Sequence, residues 1–247
     1  MSIAGKHVVV TGGGSGVGAD MARLFADAGA QVTIMGRTEA ALNAQGLPWQ
    51  VCDVTDATAV VAAFEAARAA HGPVSVVIAN AGAADSKPFA RMSARDFEAM
   101  LSVNVTGVFN VWQAALADMK AAGWGRMIAV ASTAGLKGYP YVAGYVAAKH
   151  GVVGLTRALS LELAKTGITV NALCPGFIDT PMLDRSVANI VAKTGKSAEE
   201  AVTVLTAGNP QKRLIQTDEV AGAALWLCSD AARSVNGHTL SLSGGET

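Results

Sequence analysis

Short runs of β-branched and aliphatic residues recur along this chain, separated by longer alanine-rich stretches with helical spacing of apolar positions. Val8–Thr11, Gln31–Met35, Trp49–Cys52, Val74–Ala79, Met127–Ser132, Ile168–Cys174 and Thr239–Leu242 read as strands. Helices are predicted at 17–28, 38–45, 56–71, 93–122, 142–165 and 217–229, the longest comprising two helices with a break near Ser102–Asn104. Strict alternation of the two element types predicts an α/β fold: a doubly wound parallel sheet of about seven strands with right-handed crossovers and helices on both faces. The strand runs are nearly continuous in apolar residues, as expected of a sheet covered on both sides.

No linker, repeat or shift of composition divides the chain, so residues 1–247 read as one domain. The connection from Gly36 to Pro48 leaves room for a helix of about two turns. The stretch at 181–216 lacks a strand and is richer in charge, which predicts a flexible lid over the carboxyl edge of the sheet, where ligands bind in this architecture. Composition narrows the function. With 51% hydrophobic and 15% charged residues, and 19 cationic side chains against 19 anionic, the chain has a large core and no basic stripe for nucleic acid. Cys52, Cys174 and Cys228 are too few and too scattered for a disulfide framework or a zinc site; no metal is expected, and the three read as core residues of a reducing compartment. Lys6–Val10 runs straight into a glycine loop and no apolar run reaches the ~18–20 residues of a membrane span, so the expectation is a cytoplasmic protein without a cleavable leader.

Two residues suggest chemistry. Tyr145 and Lys149 stand four apart and share one helix face, with Ser132 thirteen residues before the tyrosine. A free phenol titrates near pH ~10, and a nearby ammonium favours the phenolate, which would make Tyr145 usable for proton transfer to a carbonyl or from an alcohol. Alone, such a pair is more often solvated helix surface. The second signal is Thr11-Gly12-Gly13-Gly14-Ser15-Gly16-Val17-Gly18, which follows the first strand and opens a helix. Glycines there let backbone amides approach a pyrophosphate, and the helix N-terminus favours the anion; this is the dinucleotide loop of a Rossmann-like sheet. Asp53 at the end of the third strand could accept a hydrogen bond from adenine. Asn80-Ala81-Gly82 ends the fourth strand, Pro175-Gly176 ends the sixth, and Thr180 follows where a nicotinamide amide could be held. Each alone could be a simple turn, but at successive strand ends they outline one extended ligand.

With these motifs in this order, the chain resembles the short-chain dehydrogenase/reductase family over essentially its whole length. The resemblance rests on the glycine loop at 11–18, Asp53, Asn80-Ala81-Gly82, Asn104-Val105-Thr106-Gly107, Ser132, Tyr145 with Lys149, and Pro175-Gly176; the family's usual Asn-Asn-Ala-Gly is varied to Ala79-Asn80-Ala81-Gly82. The resemblance implies that Tyr145 is the general acid or base, that Lys149 lowers its pKa and binds the nicotinamide ribose, and that Ser132 holds the substrate oxygen. It also implies that Asn104 anchors a water linking Lys149 to solvent; the plainer reading is a helix-break asparagine bonding its own backbone, and the two are compatible. The implied cofactor contacts are Gly12, Gly14, Ser15, Gly16, Val17, Gly18, Arg37, Asp53, Val54, Asn80, Gly82, Tyr145, Lys149, Pro175, Gly176, Ile178 and Thr180. A homotetramer is expected, packed through the helices near 104–122 and 144–165.

Cofactor and substrate are less sharply marked. An acidic residue at the end of the second strand selects NAD, whereas an arginine there can take a 2′-phosphate. The strand ends Ile34-Met35-Gly36-Arg37, which favours NADP over NAD, although Ser15 stands where NADP-preferring relatives often carry a cation. Tyr139, Tyr141, Phe177, Met182 and Leu183 suggest an apolar or aryl-tolerant pocket, or simple lid packing. Arg185, Lys193, Lys196, Lys212 and Arg213 outnumber Asp184, Glu199 and Glu200 in the lid, a bias that would suit the phosphates of a coenzyme A or acyl-carrier thioester. Asn209-Pro210-Gln211-Lys212-Arg213-Leu214 and Ser243-Gly244-Gly245 resemble the 3-oxoacyl-thioester reductase and 3-hydroxyacyl dehydrogenase branch. The expected reaction is hydride transfer between a nicotinamide and a secondary alcohol or ketone, foremost a 3-hydroxyacyl or 3-oxoacyl thioester. A free ketone, hydroxy acid or aryl alcohol is the alternative substrate, and a catalytically silent cofactor-binding subunit the alternative class.

Overall fold

The computed structural model describes residues 3–247, apart from the Arg185 side chain, whose share in the lid charge lies outside the described residues. The strands His7–Thr11 (β1), Gln31–Gly36 (β2), Trp49–Val51 (β3), Val74–Ala79 (β4), Gly125–Val130 (β5), Ile168–Pro175 (β6) and Thr239–Leu242 (β7) form one parallel sheet in the order β3-β2-β1-β4-β5-β6-β7. The helices are Gly16–Asp27 (α1), Glu39–Asn43 (α2), Ala57–His71 (α3), Ala94–Leu101 (α4), Gly107–Ala122 (α5), Ala143–Glu162 (α6), Pro181–Thr194 (α7), Ala198–Thr206 (α8) and Thr217–Leu227 (α9).

Alternate residues of the five inner strands, β2, β1, β4, β5 and β6, feed two separate cores. Val9, Met35, Val77, Met127 and Val170 meet Phe64 of α3, Trp112 of α5 and Val152 of α6. Val8, Val10, Ile34, Ile78, Ile128 and Leu173 meet Met21 and Phe25 of α1 and Val220 and Leu227 of α9. Each large side chain so buried contributes about 1.5–3 kcal/mol, which holds the strand ends in fixed register. Strand order reverses between β1 and β4, and a crevice for ligands opens at the carboxyl ends of strands flanking such a point. No helix is long and apolar enough to cross a membrane among the described residues.

Four local expectations change. The predicted break near Ser102–Asn104 is a π-helical turn, Ser102–Thr106, that carries α4 into α5 without interrupting the helix. The segment at 181–216 folds into α7 and α8: Pro181 begins α7 just after Thr180, and Ser197 and Glu200 form a capping box on α8. Its one sheet-like contact is a parallel bridge between Ile215 and Ile178. Strand β3 stops at Val51 and β5 at Val130, so Asp53 and Ser132 stand in the turns beyond them. Helix α2 is five residues, shorter than two turns.

Candidate active site

The loop after β1 is built to meet an anion. Gly12 and Gly16 take left-handed backbone angles (φ 66° and 53°), and any side chain on Gly18 would run into the Gly12 carbonyl and the Asn80 amide. Helix α1 therefore packs tightly against the end of β1. Its first turn has no acidic residue, and the Ser15 side chain makes no capping bond, so the first-turn N–H groups are left for an incoming acceptor. That is the fit a dinucleotide pyrophosphate requires.

Thr11 and Asn80 hold the crevice together. Thr11 Oγ1 accepts from the Asn80 and Ala81 amides, each at 3.1 Å, and Asn80 Nδ2 donates to the Thr11 carbonyl at 2.9 Å. Asn80 thus locks the ends of β1 and β4. Thr180 lies across the loop, where a methyl on Gly16 would be 3.3 Å from its Cγ2. At the other end, Gly36 is half-buried with no carboxylate, and Arg37 is exposed with no hydrogen bond or ion pair among the described residues. The Asp53 carboxylate accepts from the Thr55 amide and hydroxyl at 2.9 and 2.8 Å, bonds that hold its pKa below the usual range, with Arg37 adding a weaker pull. Val54 is buried, and its carbonyl accepts from Asn110 Nδ2 at 2.8 Å, so its side chain and carbonyl serve packing.

The catalytic candidates converge at the ends of β4, β5 and β6. Ser132 lies close enough to the Tyr145 phenol to favour its ionised form, and its Oγ accepts from the Ala134 amide at 3.1 Å. Lys149 is buried; its Nζ donates to the Val130 carbonyl at 2.8 Å and lies 5.5 Å from the Tyr145 ring centre. Burial raises the Tyr145 pKa, opposed by the nearby Ser132 hydroxyl, and burial lowers that of Lys149 to about 8. The net direction at Tyr145 is set by the loss of water around the phenol, and the opposing pull comes from Ser132.

Asn104 sits in the π turn, buried. Its Nδ2 donates to the Met100 and Ala83 carbonyls at 3.0 and 2.9 Å, and its Oδ1 accepts from the Ala83 amide at 3.3 Å. The backbone-bonding reading of Asn104 is therefore present in the geometry. Gly82 joins it to the lysine: a methyl there would lie 2.8 Å from Asn104 Oδ1 and 3.7 Å from Lys149 Nζ. π turns arise where an extra residue is fitted into a helix, often at functional sites.

A family model for short chain dehydrogenase matches residues 6–190. The chain belongs to the short-chain dehydrogenase family. Among curated relatives, a putative ketoacyl reductase of the monensin polyketide synthase from Streptomyces virginiae is 39% identical over 97% of this chain and 96% of its own. A D-beta-hydroxybutyrate dehydrogenase from Rhizobium meliloti (strain 1021) is 32% identical over 98% of both chains. Among solved structures, a variant actinorhodin polyketide ketoreductase with NADPH superposes with a TM-score of 0.93 at 35% identity, covering 100% of this chain and 98% of that one. As a short-chain dehydrogenase the protein is a nicotinamide-dependent oxidoreductase acting on hydroxyl or keto groups.

Sequence reading of this short-chain dehydrogenase missed two neighbours of the site. Cys174 lies close enough to the candidate catalytic group to influence Tyr145 and Lys149, with its thiol pushed up to about 11 by burial. Glu246 reaches the pocket from a distant part of the chain. Of the lid cations, Arg213 is held by both Glu219 oxygens at 2.6 and 2.7 Å, and Lys212 donates to the Ala207 carbonyl at 2.6 Å, whereas Lys193 and Lys196 are exposed. Tyr141 is 64% exposed, while Leu183 is buried and Tyr139 meets Phe177 edge-on.

Proposed function

We propose that the protein is an NADP(H)-dependent oxidoreductase of 3-oxoacyl and 3-hydroxyacyl thioesters. The observation that carries the cofactor choice is the end of β2: Gly36 offers no acceptor for a ribose 2′-hydroxyl, and the exposed Arg37 beside it suits a 2′-phosphate. The relative named as a ketoacyl reductase and the exposed Lys193 and Lys196 support the acyl thioester. A bound nicotinamide would supply the hydride. In this reading Ser132 orients the substrate oxygen, Tyr145 gives or takes its proton, Lys149 holds the ribose hydroxyls, and Asn104 fixes Gly82 and Ala83 beside the lysine. Gly12 to Gly18 would take the pyrophosphate, Asp53 and Val54 the adenine side, and Asn80, Gly82, Pro175, Gly176, Ile178 and Thr180 the nicotinamide side. Exposed Phe109 on α5 and Leu161 on α6 support association of these helices in a homotetramer, and the three buried free cysteines fit a cytoplasmic protein.

A panel of ketones and their thioesters, run with NADH and NADPH in parallel, tests both choices. Tyr145→Phe should lower kcat by about 10²–10⁴ with cofactor affinity retained. Neutralising Lys193 and Lys196 should weaken a coenzyme A ester and spare its short analogue; equal losses would remove the thioester assignment. The hydroxybutyrate dehydrogenase relative favours a second reading, a free hydroxy acid, which the same panel separates.

A further inference from the structure

Glu246 is an acidic residue in an unusual setting. Its side chain is 5% exposed, with Oε1 2.8 Å from Lys137 Nζ and 2.7 Å from the Tyr139 hydroxyl. That hydroxyl is also 2.7 Å from Thr133 Oγ1. A phenol has one proton, for which the carboxylate competes best, so the Thr133 hydroxyl supplies the other bond. A methyl on Gly208 would come within 2.6 Å of Oε1, and one on Gly176 within 3.6 Å of Oε2. Glu246 therefore joins the loop between Ser132 and Tyr145, the turn after β6, the turn after α8 and its own turn after β7.

The contacts continue to the catalytic group. Tyr139 meets Phe177 edge-on with ring centres 6.4 Å apart, and it lies near enough to Tyr145 for the two phenols to interact electrostatically. Lys137 Nζ stands 5.0 Å from the Tyr139 ring centre, so the loop brings a cation to the same wall. Lys87 N–H donates to the Tyr141 carbonyl at 2.7 Å, which ties the neighbouring 83–88 loop to this wall as well. Without the Glu246 carboxylate, Lys137 would be a partly buried cation with no counter-charge beside the Tyr139 ring.

We propose that Glu246 is a positioning and specificity-determining residue: it fixes Tyr139 as a wall of the substrate pocket and neutralises Lys137, so that an uncharged substrate is preferred to a carboxylate. The inference rests on the family's carbonyl chemistry and not on the thioester assignment.

The test uses ethyl acetoacetate and the acetoacetate anion as probes at saturating cofactor. Glu246→Gln keeps an acceptor for the Tyr139 phenol but removes the charge. It should raise the acetoacetate-to-ester ratio of kcat/KM about tenfold or more, mainly through KM for acetoacetate. Adding Lys137→Met should return the ratio to the wild-type value. Glu246→Ala should raise KM for both probes and speed hydrogen exchange at residues 133–142, with cofactor affinity unchanged, whereas Glu246→Gln should leave exchange near wild type. An unmoved probe ratio in Glu246→Gln overturns the specificity role, and unmoved exchange in Glu246→Ala overturns the positioning role. A matching loss of cofactor affinity in Glu246→Gln, which should fold if Glu246→Ala does not, also overturns the proposal. Should wild type reduce neither probe, the specificity role is overturned for 3-oxo substrates, and the exchange comparison alone decides the positioning role.

Discussion

Gly36→Asp isolates the physical basis of cofactor choice. Gly36 ends β2, its φ lies outside the left-handed range, and a Cβ there would meet nothing closer than Leu42 Cδ2 at 3.4 Å, an ordinary contact. An aspartate therefore fits without backbone strain. Its carboxylate would accept a charged hydrogen bond from a ribose 2′-hydroxyl, worth about 1.5–3 kcal/mol to NADH. The same charge would repel a 2′-phosphate: two unit charges ~5 Å apart at an effective dielectric of ~20 interact by roughly 3 kcal/mol, less at an exposed, salt-screened site. It would also draw the neighbouring Arg37 guanidinium away from the phosphate. Taking about 1.5 kcal/mol on each side, the NADPH-to-NADH ratio of kcat/KM should fall by about two orders of magnitude. Steady-state rates with each cofactor at one ionic strength read the ratio. A change below about fivefold, or a wild type that already prefers NADH, would refute the assignment of Gly36 and Arg37.

Two further expectations concern the buried Lys149 and Asn104. With Lys149 lowered to about 8, the ammonium is present below that pH and lost above it, and a ligand held by the ammonium raises its pKa. NADPH binding should therefore weaken as pH climbs through about 8, with proton uptake on binding there; calorimetry in two buffers checks this, and Lys149→Met should abolish the dependence. Asn104→Ala strips partners from the Met100 carbonyl and from both backbone groups of Ala83, which should cost about 2 kcal/mol and lower Tm by roughly 4–8 °C, with kcat falling alongside.

The fold was legible because the β-branched runs are short, apolar and separated by helical stretches, as Val8–Thr11 and Val74–Ala79 show, and because a glycine loop fixes where the first strand ends. The break at Ser102–Asn104 was located from sequence, but its π geometry was not, since the phase slip that one extra residue makes in the apolar pattern reads equally well as the end of one helix and the start of another. The helices of the 181–216 segment had signals in plain view, Pro181 after Thr180 and Ser197 with Glu200, which charge and the lack of a strand obscured. Ser132, Tyr145 and Lys149 were recognisable by spacing, whereas the balance of burial and charge that sets their proton affinities depends on surrounding atoms. Glu246 had no local signal because its partners, Lys137 and Tyr139, lie more than a hundred positions earlier in the chain.

The π turn has a consequence for how such a chain can change over time. Removing one residue between Ser102 and Thr106 would restore an ordinary helix but rotate everything beyond it by about 100°. Either Asn104 would turn away from Ala83, or Val108, Val111 and Trp112 of α5 would leave the core. A substitution around the turn alters only the contacts of one side chain, but a deletion there cannot be spread out. In this part of the molecule, residue count is inherited more strictly than residue identity.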